Sequence, residues 1–135
     1  MSDETATGTD APADATRLIA GAVTDASGLT LRHEPVAPDQ VVAGAPETGH
    51  AVLDASAPDA ASGRTIGVWE MTPGAMRDVE ADEVFVVLAG DATVEFVDPA
   101  LPSIELAPGS LVRLEAGMQT VWTVRETLRK VYVAP

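Results

Sequence analysis

The chain has 135 residues, with 21 acids against 8 bases for a net charge of −13, and it contains no cysteine. Its length suits one domain with a core of its own, and the lack of cysteine excludes disulfides and thiolate metal sites. So acidic a surface repels nucleic acid and anionic membranes, so neither is an expected partner.

The one local run of bases, Arg125, Arg129 and Lys130, is interrupted by Glu126. Asp3 and Glu4 stand where a secretion signal carries bases. The longest early apolar run, Leu18 to Val23, is too short to span a bilayer. The expected compartment is the cytoplasm, where a chain without cysteine is at home.

Residues 1–16 carry four acids, no base and no aliphatic run, and read as a disordered acidic tail. Residues 17–61 read as an N-terminal arm. Short apolar pieces (Leu18-Ile19, Val41-Val42, Ala51-Val52-Leu53) alternate there with turn formers, which predicts two or three short strands, or one short helix around Pro38 to Val42. Both histidines, His33 and His50, lie in the arm.

Residues 62–135 change character. Thr65 to Thr72 is strand-like, and Pro73-Gly74 turns. Asp82 to Ala89 is dense in Val and Phe, and Gly90-Asp91 is read as its stop. Ala92 to Val97 follows at hairpin distance. Pro99 and Pro102 make a loop. Short strands follow at Ser103 to Ala107, Leu111 to Leu114, Gln119 to Val124 and Leu128 to Val133. Short strands separated by regular turns predict an all-β fold, an antiparallel β-barrel or jelly roll.

Three segments are more specific than the strand count. They are Gly67-Val68-Trp69-Glu70-Met71-Thr72-Pro73-Gly74, then Asp82-Glu83-Val84-Phe85-Val86-Val87-Leu88-Ala89-Gly90, then Pro108 to Gly117 followed by Trp122 and Arg129-Lys130-Val131-Tyr132. In this order they resemble the cupin superfamily, and more narrowly the small cupins grouped with (S)-ureidoglycine aminohydrolase. The resemblance spans roughly Arg64 to Tyr132. It implies a barrel with a site in its wider mouth, and pairing of two copies through the arm or the barrel strands.

The resemblance also implies a metal held by three histidines and a glutamate. The glutamate falls on Glu83. The histidine positions fall near Arg77 and Val79, and on Thr120, and none of these is histidine. One carboxylate does not hold a transition metal, which generally takes three protein ligands. No cofactor is therefore expected, and a divalent metal is disfavoured. His33 and His50 read as surface or turn residues, and Asp78, Glu80 and Asp82 as solvated loop charges.

Alternation places Glu83, Phe85 and Val87 on one strand face, and Thr120, Trp122 and Val124 on one face of another. If both point inward, they line an apolar pocket with one acid, one hydroxyl and one indole, the makeup of a small-ligand site. Arg77 is the proposed partner of Glu83. Trp69 and Glu70 face opposite ways, with Trp69 assigned to the core. Arg129 and Lys130 read as a surface salt link.

The expected binding residues are thus Arg77, Glu83, Phe85, Val87, Thr120 and Trp122, with Glu83 the only candidate acid/base. Three functions stay open: a metal-free cupin binding a small organic molecule, an aminohydrolase-like, isomerase or lyase enzyme using Glu83, or a dimeric structural or regulatory module. No nucleophile triad is visible, because residues 62–135 hold no histidine.

Overall fold

The computed structural model describes residues 18–55 and 63–135. The predicted acidic tail and the boundary between arm and barrel lie outside those residues. Nine strands make up the regular structure of the described residues: β1 (Glu34–Pro35), β2 (Val41–Ala43), β3 (Glu47–Ala55), β4 (Thr65–Met71), β5 (Gly74–Val79), β6 (Glu83–Asp98), β7 (Leu101–Leu106), β8 (Leu111–Leu114) and β9 (Gln119–Ala134). All pairings are antiparallel, and the curled sheet runs β1-β3-β4-β9-β5-β2, with β6 joining β7 and β8 to β9. This is the predicted all-β barrel.

β9 is the spine. Its first half pairs with β5 on one edge and with β6 on the other; its second half pairs with β4 and again with β6. A strand hydrogen-bonded on both edges cannot slip without losing two ladders, so its register is closely defined. That register carries Thr120, Trp122, Lys130 and Tyr132 into the barrel interior, where all four are buried.

Two turns expected from sequence are replaced by continuous strand. Gly90-Asp91 does not end a strand: β6 runs through it, and Ala92 to Val97 continue the same strand instead of folding back as a hairpin. Gly90 sits at φ +106°, and a Cβ there would lie 2.4 Å from the Thr127 carbonyl oxygen. Glycine is thus required where β6 bends against β9, a bulge and not a turn. Similarly, the segments Gln119 to Val124 and Leu128 to Val133 merge into β9.

The arm is built into the sheet. β3 pairs with β4 along Thr48 to Ala55, and β1 pairs with β3. Pro38 to Gln40 form a turn, with Gln40 N donating to Ala37 O at 2.8 Å, so the helix alternative gives way to the strand β2.

The main core is the barrel interior, formed by Trp69, Met71, Met76, Phe85, Val87, Val94, Leu106, Leu114, Trp122, Leu128 and Tyr132 among others. A second, smaller cluster lies outside it: Leu31, Leu53 and Val68, with Ala26, Leu29, Ala51 and Val131 packed against them. Val68 and Trp69 are consecutive yet both buried. Successive strand residues point to opposite faces, so β4 is covered by the barrel on one face and by the arm on the other.

Candidate functional site

Strand alternation puts Trp69 and Lys130 opposite each other on the inner face of the β4–β9 pair, and Glu70 and Arg129 opposite each other on the outer face. Inside, Lys130 is 0 % exposed and its Nζ contacts Glu83 Oε2. The same Nζ lies 4.3 Å from the ring centroid of Phe85, 5.0 Å from Trp69, 5.2 Å from Trp122 and 5.9 Å from Tyr132. A cation within about 6 Å of a ring face is attracted to its negative quadrupole. The rings also support one another: the Trp69 and Trp122 centroids are 5.6 Å apart, and those of Phe85 and Trp122 5.8 Å.

Glu83 therefore has a cationic partner, but it is Lys130 and not Arg77. Arg77 is exposed on β5. The same alternation brings Asp78 and Glu80 inward, and both are buried, whereas Asp82 is exposed. The reading of Asp78 and Glu80 as solvated charges fails for a simple reason. Asp78 lies on β5, and a strand turns every second side chain to the core; Glu80 lies one residue past the end of β5, where its backbone N–H donates to Met118 O and its carbonyl accepts from Gly117 N–H, both at 2.8 Å. Glu80 Oε2 accepts the Thr120 hydroxyl at 2.7 Å and the Trp122 indole N–H at 2.9 Å. One buried oxygen thus satisfies two buried donors.

The surface-link reading fails for both bases: Lys130 is inside the barrel, and Arg129 makes its salt link outside the barrel but buried under the arm. Its Nε donates to Glu70 Oε1 at 2.8 Å, and its Nη1 donates to the carbonyls of Ala26 at 2.9 Å and Ser27 at 3.2 Å. His33 Nε2 reaches the other Glu70 oxygen at 2.5 Å. Burial acts to raise the Glu70 pKa, but the hydrogen bonds and charges of Arg129 and His33 outweigh it, so it lies below its ordinary value. This outer network ties the arm to the barrel wall.

Of the six expected binding residues, Glu83, Phe85, Val87 and Trp122 gather in the interior around Lys130. Arg77 and Thr120 both line an open cleft of about 510 Å³ at one end of the β5–β9–β6 wall, Arg77 from its exposed rim and Thr120 from the buried side. Asp39, Gln40, Asp78, Val79, Val97, Gln119 and Val121 complete its lining. Sequence reasoning misses Lys130 as an interior residue. Carrying the alternation of Thr120, Trp122 and Val124 on through Leu128 places it inside.

A barrel of antiparallel strands with polar groups at its centre and a cleft at one end is the architecture of a cupin. The chain belongs to the EutQ-like cupin domain family (Cupin_3), whose model matches residues 59–132, more than half the chain. Solved structures share the fold. One is a protein of unknown function of the DUF861 family from Pseudomonas syringae pv. tomato, with 22 % identity and a TM-score of 0.62, covering 81 % of this chain and 45 % of that one. Another is a putative ethanolamine utilization protein Q from Salmonella typhimurium, with 14 % identity and a TM-score of 0.54, covering 78 % of this chain and 96 % of that one. The Clostridium difficile EutQ protein is similar at 17 % identity and a TM-score of 0.50, covering 64 % of this chain and 67 % of that one. The chain thus spans less than half the length of the Pseudomonas protein. No curated protein matches the sequence.

The donor set at the barrel centre does not fit the metal that cupins commonly hold. No group of three or more His, Cys, Asp or Glu among the described residues could hold a metal ion. Glu83, the ligand retained from the pattern, already contacts an ammonium group.

Proposed function

We propose that this cupin binds a small polar organic molecule bearing a carboxylate, in the cleft rimmed by Arg77 and floored by Asp78 and Thr120. The observation that carries this reading is the state of Arg77. In a chain so rich in acid, Arg64, Arg113, Arg125, Arg129 and Lys130 each contact a carboxylate. Arg32 and Arg77 make no such contact among the described residues, and of the two only Arg77 lines the cleft. Its planar fork of donors matches a carboxylate bidentately. Gln40 and Gln119 add amide groups, and Val79, Val97 and Val121 give apolar wall, the mix expected of a small-ligand site. Asp39 and Asp78 disfavour a ligand that is wholly anionic and favour a zwitterion.

The motif likeness to the ureidoglycine aminohydrolase group supports an enzyme reading, but the position of Glu83 weighs against it as acid or base. Its side chain is closed off inside the barrel against Lys130, and a general base must reach the proton it takes.

Calorimetric titration with a panel of small amino acids, ureido acids and simple carboxylates tests the proposal. A zwitterionic carboxylate should bind, and Arg77→Gln should weaken it at least tenfold, about 1.4 kcal/mol. Equal binding by Arg77→Gln would remove the cleft from consideration.

A further inference from the structure

The barrel centre holds an arrangement that the cleft does not use. Four aromatic rings surround one ammonium at 4.3–5.9 Å, and a single carboxylate, Glu83, closes the shell. Isolated charges are not tolerated in a protein interior; they persist only where partners replace the lost water. Here the replacement is specific to an organic cation. Ring faces attract a diffuse positive charge but offer no lone pair to a metal. A divalent ion on Glu83 would also meet the Lys130 charge beside it.

We infer that the barrel centre is an organic-ammonium site filled by the chain's own Lys130, a tethered cation in the role that the cupin pattern gives to a metal. The carboxylate that would ligate the metal is kept, and the partner it holds is covalently part of the chain. The inference is independent of ligand binding in the Arg77 cleft.

Lys130→Ala in the full chain tests it. The substitution removes the ammonium and three methylenes, leaving space for propylammonium. Propylammonium should raise the melting temperature of Lys130→Ala by about 5 °C at roughly tenfold excess over its dissociation constant. Sodium chloride at equal ionic strength and 1-propanol should not, and the effect should vanish in Lys130→Ala/Glu83→Gln. An equal effect of 1-propanol would overturn the inference, since the site would then select shape and not charge.

Should Lys130→Ala fail to fold, the wild-type chain decides. Side-chain ¹⁵N spectra should show Lys130 ammonium protons exchanging far more slowly than those of a surface amine, and titration with manganese, nickel and zinc should find no tightly held ion. Rapid exchange, or one metal ion per chain lost on Glu83→Gln, would overturn it.

Discussion

Glu70 and Arg129 face each other across β4 and β9 and bond at 2.8 Å outside the barrel, one residue away from Trp69 and Lys130, which face each other inside it. One stretch of ladder thus builds two unlike polar structures back to back. The outer one ties down the arm through His33, Ala26 and Ser27. The inner one closes the barrel centre through Glu83 and the rings.

The inner pair should behave as a unit. Lys130→Met leaves a carboxylate buried among aromatic rings and should cost about 3–5 kcal/mol. Adding Glu83→Gln should recover a large part of that loss, because the stranded charge is gone. Urea denaturation of the two single variants and the double variant measures the coupling; strict additivity would show that the two groups do not act together.

The outer network should make arm attachment sensitive to acid. Glu70 has a pKa lowered from its ordinary value of 4.5. A carboxylate held lower in the folded state contributes stability that is fully present above its unfolded pKa and is lost as pH falls through the folded value. Wild type should therefore exceed Glu70→Gln in stability at neutral pH, and the gap should narrow below about pH 4.5. Hydrogen exchange of Ala26 to Leu31 amides at neutral and acid pH reports the same change locally.

The Glu80 shell should be costly to trim. Thr120→Val removes a hydroxyl donated to the buried Glu80 side chain, and depriving a buried polar group of its partner costs about 1–3 kcal/mol. Trp122→Phe removes the second donor and also shrinks the ring cage. Denaturation midpoints should fall for both, and further for Trp122→Phe.

Gly67 should resist even the smallest side chain. A Cβ there would lie 2.4 Å from the Tyr132 hydroxyl oxygen, and Tyr132 is buried beside Lys130. Forcing a methyl into such a packed core typically costs about 1–3 kcal/mol. Gly67→Ala should lower stability by that amount, and Tyr132→Leu in the same chain should relieve part of the loss. A neutral Gly67→Ala would show that the tyrosine ring moves aside freely.

Much of this protein is legible in its sequence. Period-two patterning of Val, Phe and Trp determines an all-β barrel, and alternation alone puts Glu83, Phe85, Thr120 and Trp122 on inward faces. The three segments Gly67 to Gly74, Asp82 to Gly90 and Pro108 to Tyr132, taken in order, point to a cupin. Alternation does not show where strands continue. Gly90 looks like a stop in one dimension, and only its contact with Thr127 makes it a bulge in a strand of 16 residues. Asp78 and Glu80 look like loop charges in the chain; the pairing of β5 with β9 turns Asp78 inward, and backbone bonds to Met118 and Gly117 hold Glu80 just past the strand end.

Charge pairing depends even more on tertiary structure. Arg77 is the nearest base to Glu83 in sequence, yet it faces outward; Lys130 lies 47 positions away and meets Glu83 inside. Local sequence sets which face a side chain takes, because the pleat has a fixed period. It does not set which strands become neighbours, because that follows from how the whole sheet curls to bury its apolar face. The identity of the interior cation is decided at that second level.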